Sequence, residues 1–131
     1  MAEPFSILIA DPNPHVRSFL VRELTAAGYR AAEAGTAKEI LKAVKSDPPP
    51  DLLVMEIDMP VRIGVGMVER LQNLAPPVPL IIYSHLTEYE NHPAISGAED
   101  FIEKNENVMD LLQSIAAIAR ISRDPLRYRA R

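Results

Sequence analysis

Four polar residues in this chain each close a short run of strand character. Asp11 follows FSILIA, Glu56 follows LLVM, Ser84 follows LIIY and Lys104 follows DFIE. Two acids, a hydroxyl and an ammonium at one edge are the parts of a phosphate or metal site. They meet only if the four runs are strands of one parallel sheet. The carboxyl ends of such strands lie side by side, and that edge is where open α/β sheets carry ligand chemistry.

The elements that must position them follow in order. Asn13 and Pro14 form a cap and first-position pair for a helix carrying Val16, Phe19, Leu20 and Leu24, with Gly28 as its stop. Tyr29 to Ala34 is a short strand with charges at Arg30 and Glu33, which suits a sheet edge. Thr36-Ala37-Lys38-Glu39 is a capping box ahead of Ile40, Leu41 and Val44. Ser46-Asp47-Pro48-Pro49-Pro50 ends that helix. Leu52 to Met55 is a continuous apolar run, as expected for a strand buried on both faces and closed by Pro60 and Gly64. A third helix is expected past Gly64 and Gly66, through Met67, Val68, Leu71 and Leu74. Leu80 to Tyr83 is the fourth strand. Pro93, in Asn91-His92-Pro93, disrupts any long helix in the next connection. Asp100 to Glu103 is the fifth strand. Asn107 and Asp110 resemble a capping box for the last helix, which carries Val108, Leu111, Leu112, Ile115 and Ile118 on one stripe. Strands alternating with helices predict an α/β fold: a doubly wound (βα)5 three-layer sandwich around a five-stranded parallel sheet.

Composition narrows the chemistry. The chain has 131 residues, 47% hydrophobic and 24% charged, which fits one domain with a substantial core. There is no cysteine, so disulfides and thiol catalysis are excluded. No apolar run approaches the ~20 residues of a membrane span, and MAEPFSILIAD does not read as a signal peptide. The expected location is cytoplasmic. Five of the 14 Lys and Arg residues crowd the C-terminus, and without them and Asp124 the body carries 9 basic and 17 acidic residues. The body repels nucleic acid and only the Arg-rich tail could attract it. Tyr128 is the one aromatic among those arginines, so stacking on bases has little support. His15, His85 and His92 lack metal-ligand spacing, and Gly64-Val65-Gly66 lacks the rest of a dinucleotide fingerprint.

The segments ILIADPNPHVR, PDLLVMEIDMP, PLIIYS and GAEDFIEK, in this order and spacing, resemble the receiver domain of bacterial two-component response regulators. The resemblance covers roughly Ile7 to Ala119. It implies the strand order 2-1-3-4-5. It also implies a phosphoacceptor at the end of the third strand and a Mg²⁺ ion held by acids after the first. Ser84 and Lys104 match the residues that contact the phosphoryl group. Asp11 matches the first acid of the metal pair, and Phe101 matches an aromatic whose burial reports the switch state.

The departures fall on the chemistry. Glu56 occupies the phosphoacceptor position, where the family has Asp. Pro12 replaces the second metal acid, and Asn105 replaces a proline after the lysine. The segment matching the fourth helix is about two residues short and contains Pro93. An extra methylene pushes the Glu56 carboxylate into the space of a phosphoryl group. Phosphoryl transfer depends on positioning and on metal charge, and Mg²⁺ demands near-octahedral oxygen ligands. Asp58 would lie on the same side as Glu56 if the strand continued, offering a substitute carboxylate beside Asp11 and Glu56. Any Mg²⁺ site at Asp11, Glu56 and Asp58 is therefore expected to be weak or lost, with no other cofactor. Glu56 is expected to pair with Lys104 and to mimic a phosphorylated aspartate.

These readings predict a receiver-like domain over residues 1–121 and a basic tail over 122–131. The domain is expected to stand alone as an atypical, non-enzymatic receiver acting through protein–protein contact across Leu86 to Ala119. The implied partners are a histidine kinase or an output domain, and a second copy of the chain. Three other functions compete: a Mg²⁺-dependent phosphoacceptor using Asp58 or Glu56, a nucleic-acid or scaffold protein recruited by its tail, and a small-molecule sensor.

Overall fold

The structure is a computed structural model and describes residues 4–59, 63–74, 76–105 and 107–122. Five strands form one sheet: β1 (Ser6–Ala10), β2 (Arg30–Ala34), β3 (Leu52–Met55), β4 (Leu80–Ser84) and β5 (Asp100–Glu103). Their order is β2-β1-β3-β4-β5 and every pairing is parallel. The helices are α1 (Pro14–Ala26), α2 (Ala37–Val44), α3 (Ile63–Gln72) and α4 (Met109–Ser122).

The continuous apolar runs explain the three layers. All four residues of β3 and all five of β4 are buried. Successive strand residues point to opposite faces. Leu8, Ala10, Leu53 and Met55 therefore pack with α2 and α3, through Ile40, Val44, Met67, Val68 and Leu71. Ile7, Ile9, Leu52 and Val54 pack with α1 and α4, through Leu20, Leu24, Leu111 and Ile115. β2 takes the edge that its charges suggest and buries only Ala34.

Local signals set the helix ends. Asn13 caps α1 by accepting the His15 N–H at 2.9 Å, with Pro14 in the first turn. Gly28 follows with φ +95°, a left-handed conformation that favours glycine. Thr36 Oγ1 accepts the Glu39 N–H at 3.2 Å, while Glu39 reaches back to the Thr36 hydroxyl and the Gly35 N–H, both at 3.1 Å. Asn107 accepts the Met109 N–H at 2.9 Å ahead of α4, but its own N–H donates to Asn105 Oδ1 at 2.8 Å and not to Asp110, so the reciprocal half of the expected box is taken by Asn105.

Two elements differ from expectation. α3 starts at Ile63, so Gly64 and Gly66 lie within it and do not precede it. A helix tolerates an isolated glycine at a cost of about 1 kcal/mol, so glycine alone does not mark the boundary. The fourth crossover contains no α-helix. Two 3-10 turns, Thr87–Tyr89 and Pro93–Ile95, span it. Pro93 has no N–H to extend a helix from the first turn, and His92 Nδ1 caps the second turn by accepting the Ala94 N–H at 3.0 Å. The β-α repeat thus holds with a short, turn-built fourth unit. Gly97 closes it against α3, where an added Cβ would collide with the Gln72 amide.

Of the tail expected over 122–131, Ser122 belongs to α4, and residues 123–131 lie outside the described residues, as does Pro60. No helix among the described residues is long and apolar enough to cross a membrane.

Candidate functional site

Register brings the strand ends together. Ala10 pairs with Met55, and the Glu56 N–H donates to the Ala10 carbonyl at 2.9 Å, so Asp11 and Glu56 leave adjacent strands side by side. Ser84 pairs with Glu103, and the Lys104 N–H donates to the Ser84 carbonyl at 2.9 Å. β5 lies two strands from β3, a separation of roughly 10 Å at ~4.8 Å per strand. The long lysine side chain spans it. Its ammonium passes 5.7 Å from the centroid of the Tyr83 ring, within cation–π range.

Lys104 Nζ donates to Glu56 Oε1 and to Asp11 Oδ2, each at 2.7 Å. The side chains are 12%, 6% and 5% exposed for Lys104, Glu56 and Asp11, so the network is screened from solvent. The remaining oxygens are also engaged. Glu56 Oε2 accepts the Asp58 N–H at 2.8 Å, and Asp11 Oδ1 accepts the Asn13 N–H at 2.8 Å. Ser84 is fully buried, and its hydroxyl oxygen accepts the Leu86 N–H at 3.0 Å.

The ionisation follows from these contacts. Burial pushes the Glu56 carboxyl up, but the Asp58 N–H, the Lys104 ammonium and the Ser84 hydroxyl outweigh it. The group titrates below the ordinary glutamate value. Burial opposes the charge on Lys104, but its bonds to Asp11 and Glu56 raise it above the ordinary lysine value. Burial also raises the Tyr83 phenol.

Asp11, Glu56, Ser84 and Lys104 thus converge, and Asp58 stands apart. β3 ends at Met55, so strand alternation does not extend to Asp58, whose side chain is exposed and whose backbone N–H alone joins the site. Phe101 is half-buried against the core on the α2 and α3 face.

These residues do not fit a Mg²⁺ ion. Pro12 offers no carboxylate, and the Lys104 ammonium is already bonded to both converging acids. Among the described residues no three of His, Cys, Asp or Glu cluster so as to hold a metal.

Two contributors escape sequence reasoning. Arg17 donates to the Asp11 carbonyl at 2.8 Å and to Glu33 Oε1 at 3.1 Å, tying α1 and β2 to the site. Gly35 leaves it room, since a Cβ there would lie 2.7 Å from Arg17 Nη1. Arg17 stands six residues after Asp11, one helical turn past the Asn13 cap, and only that placement hints at its role. Tyr83 gave no signal beyond its place in an apolar strand.

Known proteins share the sequence pattern and the fold. The chain is 28% identical over 116 residues to the transcriptional regulatory protein PrrA of Mycobacterium tuberculosis, covering 87% of this chain and 49% of that protein. It therefore spans about half the length of such curated relatives. The response regulator protein TrrA of Thermotoga maritima, solved with Mg²⁺-BeF, superposes with TM-score 0.80 at 23% identity, covering 86% of this chain and 97% of the other. A chain from the complex of TrrA with the histidine kinase ThkA gives TM-score 0.76 at 24% identity, covering 86% and 97%. These two likenesses concern the fold. The profile of the response regulator receiver domain matches residues 7–116, nearly the whole described sheet and its helices. A sheet in the 2-1-3-4-5 order with its acids and lysine gathered at one edge, matched by that profile, makes this chain a member of the response regulator receiver domain family of two-component signalling.

Proposed function

We propose that this receiver domain carries Glu56 as a built-in anion where its family adds a phosphoryl group reversibly. The observation that carries the reading is the Lys104 ammonium, 2.7 Å from both Glu56 and Asp11. The lysine is committed to a side-chain carboxylate, and the extra methylene of glutamate places that carboxylate within its reach. The second Glu56 oxygen is held by the Asp58 N–H, so the anion is fixed at both ends. With Pro12 in the metal pair and Asp58 exposed, the charge that would assist phosphoryl transfer has no seat.

The domain then works in the cytoplasm by protein–protein contact and not by turnover. Its contact surface is Leu86 to Ala119, and its partners are signalling proteins such as a histidine kinase or an output domain. The solved complex of ThkA with TrrA supports the first class. The regulatory role of PrrA, about twice as long as the matched region, supports the second.

Intact mass after incubation with acetyl phosphate and Mg²⁺ tests the reading. The expected mass is unchanged. A gain of one phosphoryl group, lost in Glu56→Ala, overturns it.

A further inference from the structure

The cleft under the β4–β5 connection is lined by Glu90, His92, Ile95, Ala98, Asp100 and Phe101, among others. Histidine is the side chain whose charge ordinarily changes between about pH 5 and 8, and His92 is the one histidine in this lining. Its imidazole also has a structural task. Nδ1 accepts the Ala94 N–H at 3.0 Å, and that bond caps the second 3-10 turn, Pro93–Ile95. An imidazole nitrogen accepts only while it carries no proton, and the charged ring is a donor at both nitrogens. On a charged ring, Nδ1–H and the Ala94 N–H would face each other donor to donor. The cap exists only in a neutral form.

The turn has few other holds. Its mooring to α3 is apolar, through Ile95 in one cluster with Met67, Val68 and Leu71. Gln72, the last residue of α3, packs against Gly97, and its buried Nε2 has no hydrogen-bond partner among the described residues. The His92 bond is the one side-chain hydrogen bond to the turn among the described residues. The charged surroundings of the ring are acidic. Glu90 and Asp100 share the cleft with it, and the Tyr89 ring of the first turn lies 5.4 Å away. Asp100 is engaged, since Oδ1 accepts the Phe101 N–H and Oδ2 the Ser114 hydroxyl, both at 2.8 Å. Glu90 is exposed and forms no ion pair among the described residues. Glu88 and Glu99 are also exposed, and residues 85–103 hold no lysine or arginine. On α3, Glu69 and Arg70 are exposed.

We propose that His92 is a proton-operated catch on the β4–β5 connection. Neutral, it holds the second turn by capping Ala94; charged, it lets the Ala94 N–H go. The sign follows from the donor count. A proton on Nδ1 removes the acceptor, so the cap is present at high pH and is lost as pH falls through the titration of the ring. The new charge arrives beside Glu90 and Asp100, which accommodate it. Release then falls on Ile95 and Phe101, which line the cleft with the ring. The consequence, that acid alters partner contact, rests on the function proposed above, because the connection lies within that contact surface. The catch itself does not, and the test reads the catch alone.

The full ¹⁵N-labelled chain is followed by NMR from about pH 8 to about pH 5. The His92 ring protons report its charge. Solvent exchange of the Ala94 amide, relative to an unstructured peptide at the same pH, reports the cap. Protection of Ala94 is expected to fall by about fivefold, the worth of a typical cap, in step with the ring. His92→Asn supplies an acceptor that does not titrate, so Ala94 is expected to stay protected throughout. His92→Ala is expected to leave Ala94 unprotected at every pH. A His92 ring that titrates while Ala94 stays protected overturns the proposal. So does a loss that persists in His92→Asn, because it assigns the proton to Glu90 or Asp100. A loss shared by the Leu53 amide of β3 overturns it too, because it reports opening of the whole domain.

Discussion

The strand-end site and the β4–β5 connection lie a few residues apart and are built on opposite terms. At the site, residues 93 and 48 positions apart in sequence converge on one ammonium. The carboxylate oxygens there are engaged, and the side chains are nearly closed to solvent. The connection is made of two short turns held by local backbone bonds, with its acids exposed. Where a receiver switches by adding charge at the site and rearranging a surface, the function proposed above gives this chain the charge in place from the start, beside a connection built of two 3-10 turns. Stability should therefore be concentrated at the site and sparse in the connection.

The largest expected effect tests the site. Lys104→Met leaves Asp11 and Glu56 buried together without a counter-charge, and breaking a buried pair this way costs about 3–5 kcal/mol. Chemical denaturation reads the loss, and a value near zero would mean that the network adds no stability. Glu56→Gln keeps the shape and leaves Lys104 paired with Asp11, so about 1.5–3 kcal/mol is expected.

The same variant fixes the pH dependence. The folded pKa of Glu56 is depressed, so its contribution is present above the ordinary glutamate value and is lost as pH falls through the folded value. The folded pKa of Lys104 is raised, so its contribution is full below the ordinary lysine value and is lost as pH rises through the folded value. Melting temperatures of wild type and Glu56→Gln should thus differ most at neutral pH and converge in acid. A gap that persists in strong acid would contradict the assignment of the charge to Glu56.

The smallest effect tests the connection. Pro93 is exposed, and restoring its N–H in Pro93→Ala does not supply the missing residues of a helix. Stability should change by no more than about 0.5 kcal/mol, with the far-ultraviolet dichroism unchanged. A clear gain in helix signal would show that Pro93 alone had suppressed a fourth helix.

Much of the frame was legible because its causes are local. Apolar runs marked β1, β3 and β4, and the Asn13-Pro14 and Thr36-Glu39 pairs marked two helix starts. The charges of Arg30 and Glu33 placed β2 at an edge. The strand order came from the family resemblance and not from the residues. Two glycines hid the start of α3, because a helix can hold them when the face carrying Met67, Val68 and Leu71 is buried. The matched strand ends point to the meeting of Lys104 with Glu56, but the resemblance makes Asp11 a metal ligand, whereas in the structure it shares the same ammonium. Arg17 and Tyr83 join the site only through tertiary placement, which no local pattern encodes. Asp58 would bring its carboxylate to the site only on a β3 that continued, and β3 stops at Met55.

The central claim is that Glu56 and Lys104 already occupy the place of the reversible phosphoryl group. Titrating the ¹⁵N-labelled protein with Mg²⁺ and beryllofluoride, the pair bound in the solved TrrA relative, tests it most directly. The amides of Asp11, Glu56, Ser84 and Lys104 are predicted to stay in place throughout. A saturable shift of these four, absent without Mg²⁺, would contradict the account.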